Sequence, residues 1–61
     1  MDLTYDIFRE LPDGVSIWVE AVRTLELAQI RLTNLTKTQP GDYVVYDLSH
    51  RQIVARATPP R

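Results

Sequence analysis

The sequence predicts an α+β fold: ββαββ, a four-stranded antiparallel sheet in the order 2-1-3-4 with one helix packed on one face. Three observations lead there. Leu11-Pro12-Asp13-Gly14-Val15 is a turn between two alternating segments. Helical spacing follows Thr24 and stops at Pro40. A second pair of alternating segments flanks Leu48-Ser49-His50-Arg51. Residues 1–57 are expected to form a single ββαββ domain, with 58–61 a frayed C-terminal tail.

The first turn sets a register. Pro12 presets φ for a type I turn, and Gly14 supplies the left-handed residue of a G1-bulge hairpin. Three loop residues place Leu11 opposite Val15. Unbroken pairing then places Phe8 opposite Trp18, Ile7 opposite Val19 and Tyr5 opposite Ala21. The strands cover about residues 3–11 and 15–22. Tyr5, Ile7, Leu11, Val15, Ile17, Val19 and Ala21 share the richer face. Arg9 shares it too, opposite Ile17, and must reach the edge or a carboxylate.

Thr24 suits an N-cap, and Glu26 suits the positive end of a helix that runs to about Thr38. Leu25, Ala28, Leu32 and Leu35 fall within an arc of about 80° and form its core stripe. Leu27 and Ile30 lie on the far side, near Asn34. Gln39-Pro40-Gly41-Asp42 reads as a type II turn.

The second hairpin pairs residues 43–46 with 53–57. Its four-residue loop sets Asp47 opposite Gln52, Tyr46 opposite Ile53 and Val45 opposite Val54. Asp47 suits an Asx turn that caps the loop N–H groups. Arg51 needs φ > 0 at a cost of order 1 kcal/mol. The helix makes the second and third strands run the same way, so the third lies antiparallel beside the first. The expected core sets the helix stripe on Tyr5, Ile7, Val19, Val44, Tyr46, Ile53 and Ala55. The opposite, open face would carry Phe8, Trp18, Tyr43, Val45 and Val54, mixed with Asp6, Glu10, Ser16, Glu20 and Arg56.

Composition narrows the function classes. A domain of this size draws only about 3–5 kcal/mol from its core unless a disulfide, a metal or oligomerisation helps. With no Cys and a single His, oligomerisation is the helper left. The N-terminus lacks a signal-peptide pattern, and no apolar run approaches the roughly 20 residues that span a bilayer. The expected location is cytoplasmic, with no membrane partner. Net charge is −1, against general nucleic-acid binding. It splits into −4 over residues 1–30 and +3 over 31–61, which would let opposite ends of two copies attract.

Tyr5-x-Ile7-Phe8-Arg9, Asp13-Gly14, Trp18-Val19-Glu20, Leu25-Glu26-x-Ala28, Pro40-Gly41-Asp42-Tyr43, Tyr46-Asp47 and Ile53-Val54-Ala55 together form a pattern. It resembles a set of short uncharacterised bacterial proteins of nearly this length, over roughly residues 4–56. These motifs are turns, strand ends and core positions. The resemblance therefore implies a fold and a bacterial source, and no activity. The chain departs from that set at Leu27 and Ile30, where charged residues are usual, and at Arg51, where Gly is usual. From Tyr5 to Leu32, strand, acidic turn, strand and Thr24-Leu25-Glu26-x-Ala28 are also similar to HicB-type antitoxin domains, which have an extra strand before the helix.

No constellation points to catalysis. His50 is the only imidazole and no acid is tied to it by spacing. Asp6 with Glu10, or Asp42 with Asp47, reads as solvated strand carboxylates rather than an acid–base pair. Gly14 and Gly41 belong to turns, so no phosphate loop is present. No cofactor and no metal are expected. The remaining signal is surplus apolar surface. It predicts a non-enzymatic protein-interaction or self-associating module, with a second copy or another protein as partner. The interface candidates are Phe8, Trp18, Tyr43, Val45 and Val54 on the sheet and Leu27 and Ile30 on the helix. The alternatives are single-stranded nucleic-acid binding by stacking on Phe8, Trp18 and Tyr43, or an antitoxin-like regulator.

Overall fold

A computed structural model describes residues 4–58. Five elements follow in order: β1 (Tyr5–Glu10), β2 (Ser16–Val22), α1 (Leu25–Thr38), β3 (Asp42–Asp47) and β4 (Gln52–Ala57). The strands form one antiparallel sheet in the order β2-β1-β3-β4, as expected. Leu3 and residues 59–61 of the expected tail lie outside the described residues.

The local chemistry acts as read. Gly14 has φ 89°, its N–H donates to the Leu11 carbonyl at 2.9 Å, and Leu11 N–H donates to the Val15 carbonyl at 2.8 Å. Asp13 accepts from Val15 N–H through its side chain. Thr24 caps α1 by accepting from Leu27 N–H at 3.1 Å. Arg51 sits at φ 54°. The turn at Gly41 differs from expectation. Gly14 is the only glycine with positive φ among the described residues, so 39–42 is not a type II turn. Gly41 has another role: a Cβ there would lie 2.8 Å from Arg9 Nε. The bare backbone leaves room for Arg9, whose guanidinium donates to the Pro40 carbonyl at 3.1 Å. Arg9 does face Ile17, and its polar outlet is this carbonyl.

The register breaks twice, once on each edge strand. Next to the turn, Phe8 pairs with Trp18 as expected. Val19 is then skipped, and Ile7 pairs with Glu20, Asp6 with Ala21 and Tyr5 with Val22. On the other edge Tyr46 pairs with Ile53, Val54 is skipped, and Val45 pairs with Ala55. The expected pairs Ile7–Val19, Tyr5–Ala21 and Val45–Val54 do not form. Each β-bulge inserts one residue, so residues beyond it change face relative to unbroken alternation. Val22 thereby replaces Ala21 on the helix side. Glu20, expected on the open face, turns under α1 and is bonded by Arg31.

β3 also faces the other way. It pairs with β1 as Ile7–Val45 and Arg9–Tyr43, so Tyr43 and Val45 share the face of Ile7. Both are buried. The core joins Ile7, Ala28, Leu32, Leu35, Tyr43 and Val45. Tyr5, Val19, Val22, Leu25, Val54, Ala55 and Ala57 pack against it. The helix stripe is the one the spacing predicts. Three expected sheet partners, Val44, Tyr46 and Ile53, belong instead to the open face, and Tyr43, Val45 and Val54 leave that face for the core. Tyr43 is buried at no polar cost, because its hydroxyl donates to the Gln39 carbonyl at the end of α1.

Candidate protein-contact surface

The face away from α1 is ordered in rows that cross the strands. One row runs Trp18, Phe8, Val44, Arg56 across all four strands. The next runs Ala21, Asp6, Tyr46, Ile53. A third holds Ser16, Glu10 and Asp42. Cross-strand neighbours of this kind are within contact reach, so each row acts as a unit.

Two carboxylates of β1 hold the ends of the first row. Trp18 Nε1 donates to Asp6 Oδ1 at 3.2 Å. Arg56 Nη1 donates to Glu10 Oε1 at 3.2 Å. The second bond reaches from β4 to β1 and so passes over β3 at Val44. This cover explains why Val44 is only 4% exposed on a face that no helix protects. Trp18 is 56% exposed. Beside it Phe8, Val44, Tyr46 and Ile53 line a hollow of about 180 Å³, with Glu10 and Ser16 at its rim. A large exposed indole thus stands next to an apolar hollow.

The expected interface residues divide accordingly. Phe8 and Trp18 lie on the open face. Tyr43 and Val45 are buried under α1 and Val54 packs on the core, so these three contribute no open surface. Tyr46 and Ile53 take their places, and Val44, though on the same face, is buried. Leu27 and Ile30 are exposed on the back of α1, as the spacing predicts, and line neither the sheet-face hollow nor the cleft between α1 and β4.

The β3–β4 loop holds an arrangement that spacing did not reveal. Asp47 Oδ1 accepts from Ser49 N–H at 2.9 Å and His50 N–H at 3.2 Å, which is the Asx cap expected. Its Oδ2 also lies 2.8 Å from His50 Nδ1. His50 side-chain bonding, with the two loop N–H groups, holds the Asp47 carboxyl below its ordinary 3.8, while burial pushes the other way. An ionised carboxylate only accepts, so Nδ1 carries the proton in this contact. The pair fixes the loop in which Arg51 is left-handed. Among the described residues no group of three or more metal-ligating side chains forms, and no buried side-chain polar atom lacks a partner. Among the described residues no helix is long and apolar enough to cross a membrane.

Comparison with known protein families, curated proteins and solved structures finds no match for this chain.

Proposed function

We propose that this protein is a non-enzymatic module that binds protein surfaces, including its own copies, through the open sheet face. One observation carries the reading: the exposed Trp18 beside the apolar hollow of Phe8, Val44, Tyr46 and Ile53. Interface centres favour a large aromatic anchor that leaves water on binding. Both edge strands carry bulges, which disfavour pairing of further strands along the edge. Contact by the face is the remaining route for the sheet. A single-stranded nucleic acid is a poorer occupant. Its phosphates would meet Asp6 and Glu10, and Arg56 is already engaged by Glu10. A cytoplasmic, cofactor-free role in a bacterial cell goes with this reading.

Sedimentation velocity and Trp18 emission, followed from micromolar to hundreds of micromolar protein, test it. Trp18 is the only tryptophan, so its emission reports on this face alone. A rising sedimentation coefficient with a blue shift in emission is expected. A strict monomer with water-exposed emission throughout removes self-association. If Trp18→Ser then also leaves every protein captured by the wild-type chain still bound, the open face is not the contact surface.

A further inference from the structure

We propose that the open face receives an amphipathic helix of another protein, with a large apolar side chain in the hollow beside Trp18 and a Lys or Arg on Glu10 and Asp42. This rests on the reading of the open face as the contact surface, and adds the partner's shape and charge.

The charge of the face selects the charge of the partner. Asp6, Glu10 and Asp42 stand there against one cation, Arg56. Glu10 and Asp42 lie directly opposite each other on β1 and β3, where like charges repel. Arg56 bonds Glu10, which leaves one guanidinium to two carboxylates. Asp42 is exposed and has no ion-pair partner among the described residues. On the other side of Phe8, Asp6 accepts from the Trp18 indole through Oδ1. Carboxylates thus stand on either side of Phe8, which lines the hollow. A cation brought beside Asp42 relieves the contact that Arg56 only half offsets. An acidic segment or a phosphate worsens it.

Backbone hydrogen bonding selects the shape. An extended segment laid flat on Phe8 and Val44 leaves its own N–H and C=O groups without partners, whereas a helix pairs them within itself. The other face of this sheet is already covered by a helix, α1. The spacing also fits. Val44 and Asp42, or Phe8 and Glu10, are two residues apart along a strand, about 7 Å. Residues four apart on one face of a helix are about 6 Å apart along its axis. A helix running along the strands therefore sets an apolar residue over Phe8 and Val44 and a residue four positions away over Glu10 and Asp42.

Two synthetic helical peptides test this, each of about 18 residues, long enough to hold a helix. Both lack Trp and place Leu residues on one face. One carries Lys four residues from each Leu and the other carries Glu. Trp18 emission and the anisotropy of a label on the peptide report binding. The lysine peptide should shift Trp18 emission to the blue and bind at least about tenfold more tightly than the glutamate peptide, with the gap narrowing as salt rises. Asp42→Asn should narrow the gap about threefold and Asp42→Lys should abolish it. Melting of each variant shows whether the fold is intact. A gap untouched by Asp42→Lys overturns the seat of the cation. Equal binding of both peptides, with the Trp18 shift, overturns the charge of the partner but leaves the open face as the contact surface. Binding that Trp18→Ser leaves unchanged overturns the face as well. No binding of either peptide at hundreds of micromolar overturns the helix as occupant. If the chain dimerises and the lysine peptide does not dissociate it, a second copy is the occupant and the helical partner is overturned.

Discussion

Leu32→Ala tests the helix face that builds the core. Leu32 is 5% exposed and belongs to the cluster with Ile7, Ala28, Leu35, Tyr43 and Val45. Removing three side-chain carbons forfeits about 2.4 kcal/mol of burial, at ~0.8 kcal/mol per carbon. A sealed cavity would add to this, up to a total of about 5 kcal/mol. Here the site is not sealed. Leu32 borders a cleft of about 310 Å³ between α1 and β4, where Ala55 and Ala57 leave space. Water can enter, so the total should lie near 2.5–3.5 kcal/mol, in the lower part of the range for Leu→Ala, roughly 2–5 kcal/mol. A chain this short has only about 3–9 kcal/mol of stability, at ~0.05–0.15 kcal/mol per residue. The melting temperature should fall by about 10–28 °C, at ~4–8 °C per kcal/mol. Thermal melts by circular dichroism at low protein concentration measure it. Ile30→Ala is the control, because Ile30 is 57% exposed and should change stability by less than about 0.5 kcal/mol. If Leu32→Ala melts as the wild type does and Ile30→Ala unfolds, the assignment of the helix face is wrong.

Three further outcomes follow from the loops. Gly14→Val should cost more than about 1 kcal/mol in urea unfolding, through backbone strain alone. No atom lies within 4 Å of a Cβ at Gly14, and its φ is +89°. An unchanged midpoint would remove the G1-bulge turn from the argument. Arg51→Gly should stabilise by up to about 1 kcal/mol, because φ 54° suits glycine; a loss of stability would contradict the left-handed loop position. Asp47 sets an acid dependence. Its folded-state value is depressed, so its contribution is whole above the ordinary 3.8 and is lost as pH falls through the lower folded value. Asp47→Asn should therefore make stability less dependent on pH below about 4, and an equally steep acid unfolding curve would contradict the role given to the carboxylate.

Short-range chemistry made most of the elements legible. Pro12-Asp13-Gly14, Thr24 with Glu26, the Leu25-Ala28-Leu32-Leu35 stripe and the Asp47 cap each act within a few residues. They set where strands and helix begin, end and turn. The strand order followed from chain direction across one helix.

The composition of the two sheet faces was a tertiary matter. In Asp42-Tyr43-Val44-Val45-Tyr46-Asp47 both alternate sets are apolar, so periodicity does not choose between them. The pairing of Ile7 with Val45 chooses, and the end of α1 supports it by accepting the Tyr43 hydroxyl. The bulges at Val19 and Val54 leave no mark in the pattern either, because a valine suits both a paired and a skipped position. They form where edge strands bend to follow the twisted sheet and its helix. Their consequence reaches the candidate site: Ala21 instead of Glu20 stands beside Asp6, and Arg56 instead of Ala55 stands beside Val44. The β1–β3 pairing puts Val44 and Tyr46, instead of Tyr43 and Val45, on the face of Phe8 and Trp18. Asp6 and Glu10 were visible only as solvated acids. The sheet register brings Trp18 and Arg56 within their reach, and that placement arises only when four strands separated in sequence are laid side by side.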